Sequence, residues 1–225
     1  MDVLIFGATG MVGQGALRAC LADPEVGRVV AIGRTITGRG NPKLREIAHE
    51  NLFDYSAVEG TLSGFDACFF CLGVSSAGMT EAAYHHVTFD LTLAAARTLV
   101  RFNPRMCFIY VSGAGTDSTE SGRIMWARVK GKTENALLAL PFKSAFMLRP
   151  AMIQPLHGIT SKTRSYRLLY STTALLLPLL RALFPNYVTT TEQLGRVMIS
   201  LAKNGGEHAI LESRDINRRT AALAR

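Results

Sequence analysis

Cysteine is scarce in the sequence, with four among 225 residues, and tryptophan occurs only once. Cys20, Cys68, Cys71 and Cys107 lie among apolar residues, and their spacing indicates no disulfide framework. Cys68 and Cys71 form a C-x-x-C pair, but residues three apart on a strand point to opposite faces, so we interpret this segment as a buried strand. The five histidines lack the spacing of metal ligands, and we therefore expect no metal site.

Long hydrophobic runs are also missing. The most apolar segment, residues 168–184, contains Pro178 and Arg181 and falls short of a membrane span. Its role stays open among a substrate lid, a dimer surface, a membrane-touching helix and, most commonly for such a run, a core helix. The chain opens directly into a predicted strand, without a secretion signal. We therefore expect a soluble, cytoplasmic protein without stable membrane insertion.

Acidic residues are in the minority, since 17 Asp and Glu stand against 25 Lys and Arg and give a net charge of +8. Such a balance favours anionic partners, including nucleotide phosphates, nucleic acid and acidic membranes. The basic residues are scattered along the chain, and no helix-turn-helix, zinc-finger or RNA-binding signature occurs. We therefore expect a small-molecule substrate and no nucleic acid.

Short apolar runs alternate with helical patterns through the first 150 residues, which is typical of a doubly wound parallel sheet in an α/β Rossmann fold. No repeat or flexible linker interrupts the pattern, so we expect a single domain over residues 1–225. In it, residues 151–187 would cap the ligand side of the sheet, and a basic tail from 218 to 225 would fray. The predicted strands are 3–6, 29–32, 44–47, 67–70, 108–111, 145–148 and 209–211, and the predicted helices are 11–21, 81–102, 125–140 and 192–203.

A glycine-rich turn, Gly7-Ala8-Thr9-Gly10-Met11-Val12-Gly13, joins the first predicted strand to the first helix. Gly7 permits the tight turn, Gly10 lets the backbone approach a pyrophosphate, and Gly13 lets the helix pack on the strand. The helix N-terminus then directs free N–H groups and a partial positive charge at the phosphates. Because a strand precedes the turn and a helix follows it, the pattern predicts a dinucleotide site.

The end of the second strand carries arginine where NAD-selective folds usually carry a carboxylate for the ribose hydroxyls. Gly33-Arg34 stands there, and the guanidinium fork of Arg34 suits a 2′-phosphate that a carboxylate would repel. The alternative is that Arg34 is simply a solvated loop residue. We predict NADP(H) as the cofactor and regard NAD(H) as the weaker candidate.

A series of short motifs follows the glycine turn in fixed order. The series comprises GATGMVGQG at 7–15, IGR at 32–34, Asp54, Cys71-Leu72-Gly73, VSGAG at 111–115, VKGKTE at 129–134 and LRP at 148–150. In this order and spacing the sequence resembles the short-chain dehydrogenase/reductase superfamily. More narrowly, it is similar to the atypical, extended-type NAD(P)-binding members, which include the Tat-interacting oxidoreductase group and NAD-dependent epimerase/dehydratase-like proteins.

The resemblance implies the positions of the cofactor and of the catalytic groups. Asp54 would contact the adenine, Ser112 would be the catalytic serine, and Lys130 would be the catalytic lysine that also holds the nicotinamide ribose. Two helices of the kind predicted at 81–102 and 125–140 often pair in this superfamily, so the resemblance also allows a homodimer. The implied cofactor-binding residues are Gly7, Thr9, Gly10, Met11, Val12, Gly13, Arg34, Asp54, Cys71, Leu72, Gly73, Lys130 and Pro150.

The sequence departs from the superfamily at the general acid, which is a tyrosine four residues before the catalytic lysine. Trp126 stands there instead. An indole N–H only donates a hydrogen bond and does not exchange a proton at neutral pH, whereas a phenol beside a cation does. The residues that we considered as substitutes are Tyr110, Tyr166, Tyr170, His85, His86 and His157, each of which also has an ordinary structural interpretation.

Three functions are therefore consistent with the sequence. The first is an NADP-dependent oxidoreductase that acts on a small carbonyl or alcohol with a displaced acid. The second is a non-catalytic NADP(H)-binding protein that senses redox state for a partner. The third is an epimerase- or dehydratase-like enzyme acting on a nucleotide sugar, which we rank last because 225 residues leave little room for a sugar-nucleotide subdomain.

Overall fold

A seven-stranded parallel β-sheet forms the centre of the protein in a computed structural model that describes residues 1–159, 184 and 186–223. Its strand order is β3-β2-β1-β4-β5-β6-β9, and a separate parallel pair joins β7 to β8. The strands are β1 Asp2–Phe6, β2 Arg28–Gly33, β3 Leu44–Ala48, β4 Ala67–Phe70, β5 Cys107–Val111, β6 Ser144–Arg149, β7 Met152–Gln154, β8 Val188–Thr190 and β9 Ile210–Glu212.

Helices cover both faces of this sheet. They are α1 Met11–Ala22, α2 Glu81–His85, α3 Leu91–Phe102, α4 Met125–Leu138, α5 Thr191–Asn204 and α6 Ser213–Ala222. A π-helical segment, His86–Asp90, joins α2 to α3, and a 3₁₀ helix covers Ser56–Thr61. Within the described ranges, every helix is too short or too polar to cross a bilayer.

The central strands are apolar at consecutive positions because both of their faces are buried. In β1, Val3 and Ile5 face a core that α1 and α5 complete, while Leu4 and Phe6 face a second core under α3 and α4. A strand that is buried on both faces has no solvent side, so it reads as a continuous apolar run and not as an alternation. The consecutive apolar residues of the central strands therefore require helices on both faces of the sheet.

The doubly wound parallel sheet predicted from the sequence is confirmed, and each predicted strand and helix lies within a few residues of an observed one. Cys68 is a fully buried free thiol in β4, as its interpretation as a strand residue requires. The prediction of a frayed basic tail at 218–225 was wrong for residues 218–222, because they belong to α6, whose buried Ile216 anchors it. Residues 224 and 225 lie outside the described residues. Segment 168–183 and most of the predicted cap at 151–187 lie outside the described residues.

Helices α1 and α5 cross at close range through two glycines. A Cβ atom on Gly195 would lie 2.7 Å from the Ala19 Cβ and 2.8 Å from the Gly15 carbonyl oxygen. Contacts this short force the helices apart, because a packed interior has no space into which they can relax.

We expect Gly195→Ala to lower the free energy of unfolding by about 1–3 kcal/mol, the usual range for overpacking. Gly40→Ala is the matched control, since nothing lies within 4 Å of a Cβ built on Gly40. Urea denaturation of the two variants and the wild type measures the difference. Equal stability of Gly195→Ala and wild type would contradict the close packing of α1 on α5.

Candidate functional site

A cavity of about 790 Å³ opens at the carboxyl ends of β1, β2, β4 and β5. The sheet order changes direction between β1 and β4, and in open α/β sheets such a switch point is where ligands bind. The cavity runs from the end of β2, near Arg34, past the glycine turn to Lys130 and Trp126 on α4. One elongated space therefore connects the residues that the sequence assigns to adenosine, pyrophosphate and nicotinamide.

The glycine turn has a backbone geometry that other residues do not tolerate. Gly7 has a φ of 79°, and a Cβ on it would lie 3.0 Å from the backbone of Cys71 at the end of β4. The Gly10 N–H donates to the Gly7 carbonyl oxygen at 2.9 Å and closes the turn. A Cβ on Gly13 would lie 2.0 Å from the same oxygen, so only glycine lets α1 approach the turn this closely.

The first turn of α1 has no side-chain cap and no acidic residue. Gly10 is the N-cap, and Met11 and Val12 line the cavity directly beyond it. The N–H groups of a first helical turn have no partner within the helix, and the helix dipole adds a partial positive charge there. An anionic ligand supplies the missing acceptors, so the residues present fit the pyrophosphate of a dinucleotide.

The end of β2 presents a cation and no free carboxylate to the cavity. Arg34 is exposed on the cavity wall and forms no ion pair within the ranges that the structure describes. Glu46 of β3 also lines the cavity, but its carboxylate accepts the backbone N–H groups of Thr37 at 2.5 Å and Gly38 at 2.9 Å. Glu46 therefore shapes the loop after β2, while Arg34 is available to a ligand anion.

Ser112, Trp126 and Lys130 meet at the other end of the cavity. The Lys130 ammonium donates to the Ser112 carbonyl oxygen, and the Ser112 hydroxyl donates to the Glu134 carboxylate. Burial lowers the pKa of Lys130 from 10.5 to about 8, against an opposing effect of the Glu134 charge. The Trp126 ring packs on Gly115, with Cη2 3.5 Å from a Cβ built there.

Glu134 is fully buried and holds this end of the cavity together. Arg149 of β6 donates from Nε to both of its carboxylate oxygens at 3.1 Å. The Arg149 guanidinium also donates to the Ser118 hydroxyl at 2.5 Å and pairs with Glu212 at 3.4 Å. Because Glu134 lies one helical turn after Lys130, the network fixes α4, β6 and the loop after β5 relative to one another.

Most of the predicted cofactor residues line this one cavity. Gly13 lies behind it, against the turn. Asp54 does not line it, because its exposed carboxylate accepts the Ser56 backbone N–H at 2.9 Å, whereas Leu52 occupies that part of the wall. The assignment of Asp54 to the adenine stays a prediction that the lining of this cavity does not support. The residues that line the cavity as predicted are Gly7, Thr9, Gly10, Met11, Val12, Arg34, Cys71, Leu72, Gly73, Ser112, Trp126, Lys130 and Pro150.

None of the described substitutes for the missing tyrosine lines the cavity. Tyr110 is buried in the core, and its pKa is raised by burial. His85 and His86 both face the Asp90 carboxylate, and His157 bonds Glu192 at 2.9 Å. Tyr166 and Tyr170 lie outside the described residues. In the described part of the chain no three His, Cys, Asp or Glu side chains are grouped to hold a metal ion.

The sequence reasoning overlooked Tyr84, which lies on the cavity wall although it is only 2% exposed. It stands on α2, the first helix after the loop that leaves β4. A signal was present in the sequence, because this loop starts at the carboxyl edge of the sheet, and a helix that begins there turns one face toward the ligand crevice.

Comparison with solved structures shows which proteins share this fold. WbmF from Bordetella bronchiseptica in complex with NAD⁺ aligns with a TM-score of 0.67 over 99% of this chain and 78% of its own, at 15% identity. An oxidoreductase of the short-chain dehydrogenase/reductase family from Burkholderia thailandensis gives 0.68 over 99% and 96%, also at 15% identity. The chain shares the Rossmann-like α/β fold of these structures.

Within sequence comparisons, no protein-family model matches the chain. Protein FMP52, mitochondrial, from Eremothecium gossypii is 30% identical over 155 residues, which cover 68% of this chain and 66% of that protein. The chain thus matches just under two thirds of the length of this relative. The superfamily fold, shared with structures of low identity, does not by itself fix a substrate.

The relatives contradict the cytoplasmic location expected from the sequence. FMP52 proteins from Eremothecium gossypii, Aspergillus terreus and Emericella nidulans are all named as mitochondrial. The expectation rested on the lack of a secretion signal and of a long apolar run, and neither feature distinguishes one compartment inside the cell from another.

We expect Glu134→Gln to lower the free energy of unfolding by about 3–5 kcal/mol, because it removes the buried countercharge of the Arg149 guanidinium and leaves only the half-exposed Glu212 at 3.4 Å. Arg101→Gln is the control, since it breaks an exposed pair with Glu59 at 3.6 Å that is worth under about 1 kcal/mol. Urea unfolding at neutral pH compares the two. A similar small loss in both variants would show that the buried pair does not hold this region together.

The pKa of Lys130 predicts a specific pH dependence of stability. Between about 8, its folded value, and 10.5, its ordinary value, the unfolded chain binds more protons at Lys130 than the folded chain does. The free energy of unfolding of the wild type should therefore rise with pH in this window relative to Lys130→Met, which lacks the titrating group. Urea titrations at a series of pH values measure the difference. A difference that stays constant would contradict the lowered pKa.

Proposed function

We propose that the protein binds NADP(H) and catalyses hydride transfer between this cofactor and a small carbonyl compound or alcohol. The observation that carries the proposal is the uncapped first turn of α1, which shares one cavity with Arg34 at one end and Lys130 at the other. This order matches the order of the 2′-phosphate, the pyrophosphate and the nicotinamide ribose along the dinucleotide.

The preference for NADP(H) is supported by the charges at the end of β2. A 2′-phosphate brings an anion that needs a cation nearby, and Arg34 offers a planar guanidinium for this contact. Glu46, whose carboxylate is the one on this part of the wall within the described ranges, already accepts two backbone N–H groups of the loop after β2. These two hydrogen bonds engage the Glu46 carboxylate in holding the loop, which favours this role over a contact with ribose hydroxyls.

The bound cofactor would supply or accept the hydride, and the chain's own residues would place it. Met11 and Val12 offer backbone N–H groups to the pyrophosphate, and Leu72 and Gly73 line the wall beyond β4. Lys130 would hold the nicotinamide ribose through its ammonium group. A cavity of about 790 Å³ lies within the range of roughly 300–1,000 Å³ for pockets that hold one organic ligand, which favours a small substrate beside the dinucleotide.

A second function, NADP(H) binding without catalysis, is favoured by the residues around Lys130. Trp126 replaces the usual general acid, and the Ser112 hydroxyl gives its only proton to Glu134. Loss of general acid catalysis typically costs about 10²–10⁴-fold in rate. In this alternative the protein reports the redox state of its cofactor to a partner, and binding occurs without turnover.

We expect Arg34→Ala to weaken NADPH binding by roughly ten- to a hundredfold, because a charge-assisted contact is worth about 1.5–3 kcal/mol. The affinity for NADH should stay unchanged, since NADH has no 2′-phosphate. Trp126 is the only tryptophan and lines the cavity, so quenching of its fluorescence follows the binding of reduced cofactor.

Arg39→Ala is the matched control for charge, since Arg39 lies in the same loop but does not line the cavity. It should leave both affinities close to those of the wild type. Equal weakening of NADPH and NADH in Arg34→Ala would remove the assignment of Arg34 to the 2′-phosphate.

A further inference from the structure

The groups around the nicotinamide end of the cavity leave the proton transfer of the proposed reaction unassigned. Trp126 donates a hydrogen bond but does not exchange a proton at neutral pH. The proton of the Ser112 hydroxyl is committed to Glu134. Burial raises the pKa of the Cys71 thiol to about 12, which makes it too weak an acid for this step. A reductase built on this cavity therefore needs a proton donor from another element.

Tyr84 is a phenol on the wall of the same cavity. Only 2% of the residue is exposed, so its ring is shielded from bulk water while it reaches the space in which a ligand would lie. Its helix packs against α4, the helix that carries Trp126 and Lys130. Tyr84 also lies close enough to Tyr110, two residues before Ser112, to raise the pKa of that phenol.

Hydrogen bonds at the start of α2 and a π-helical segment after α2 hold the backbone on either side of Tyr84. The Thr80 hydroxyl caps α2 by accepting the Ala83 N–H, and the Tyr84 N–H donates to the Thr80 carbonyl oxygen at 3.0 Å. The π-helical segment His86–Asp90 starts two residues later. Single π-helical turns within α-helices are frequent at functional sites.

We propose that Tyr84 is the proton donor that replaces the tyrosine missing at position 126. The inference rests on the proposed function and adds a catalytic residue to it. In the direction of reduction, the carbonyl carbon gains a hydride from the reduced nicotinamide cofactor, and the carbonyl oxygen gains the proton of Tyr84 Oη. The C=O π bond becomes the new O–H bond, the cofactor leaves oxidised, and solvent returns a proton to the phenolate. Lys130 lines the same cavity and, when protonated, adds a positive charge there that favours the phenolate.

The test compares Tyr84→Phe with the wild type in NADPH oxidation on a panel of small aldehydes, ketones and quinones. We expect kcat to fall by about 10²–10⁴-fold, the usual contribution of a general acid. The affinity for NADPH, followed by Trp126 fluorescence, should not change. Tyr55→Phe is the matched control, because Tyr55 is a buried tyrosine that does not line the cavity and whose hydroxyl has no hydrogen-bond partner among the described residues.

A double variant separates proton donation from a structural role. Adding Trp126→Tyr to Tyr84→Phe puts a phenol back four residues before Lys130, and turnover should return without a change in cofactor affinity. A kcat of Tyr84→Phe equal to that of the wild type would overturn the inference alone, as would loss of cofactor binding in this variant. Wild-type protein that binds NADPH but reduces nothing in the panel would overturn it together with the catalytic half of the proposed function.

Discussion

The backbone N–H groups at the start of α1 are the feature on which the rest of the site depends. A helix that begins without a side-chain cap leaves these donors to a ligand, and here no acidic side chain in the first turn competes for them. The tight turn at Gly7 and the close approach at Gly13 bring them to the edge of the sheet. In the proposed binding mode, these N–H groups fix the position of the pyrophosphate, and the positions of the other cofactor groups follow from it.

Two further groups of contacts shape the cavity on opposite sides of this helix N-terminus. On the side of β2, the Glu46 carboxylate accepts backbone N–H groups of the loop after β2, and Arg34 is left as the cation on the cavity wall. Toward α4, the buried pair of Glu134 and Arg149 fixes Ser112 and the helix that carries Lys130. The hydrogen bond from Ser112 to Glu134 limits the chemistry of the site, because a serine hydroxyl that donates to Glu134 has no proton left for a substrate oxygen.

The sequence predicted the fold and most of the cavity wall because both depend on local patterns. Apolar runs identify strands that are buried on both faces, and the glycines identify a turn whose function depends on its backbone. The place of Leu52 on the cavity wall could not be predicted, because the irregular segment after β3 has no periodicity to show that Leu52 faces inward and Asp54 faces solvent. The commitment of Ser112 to Glu134 joins residues 22 positions apart and has no local signature. Tyr84 was overlooked because a tyrosine in a helix looks like an ordinary core residue until the topology places that helix beside the crevice.

Calorimetric titration of the purified chain with NADP⁺, NADPH, NAD⁺ and NADH tests the central claim most directly. If the first turn of α1 and Arg34 hold the dinucleotide as described, one molecule binds per chain, and the two phosphorylated cofactors bind more tightly than the other two. A folded protein that gives no heat of binding with any of the four would contradict the assignment of these backbone N–H groups to a pyrophosphate.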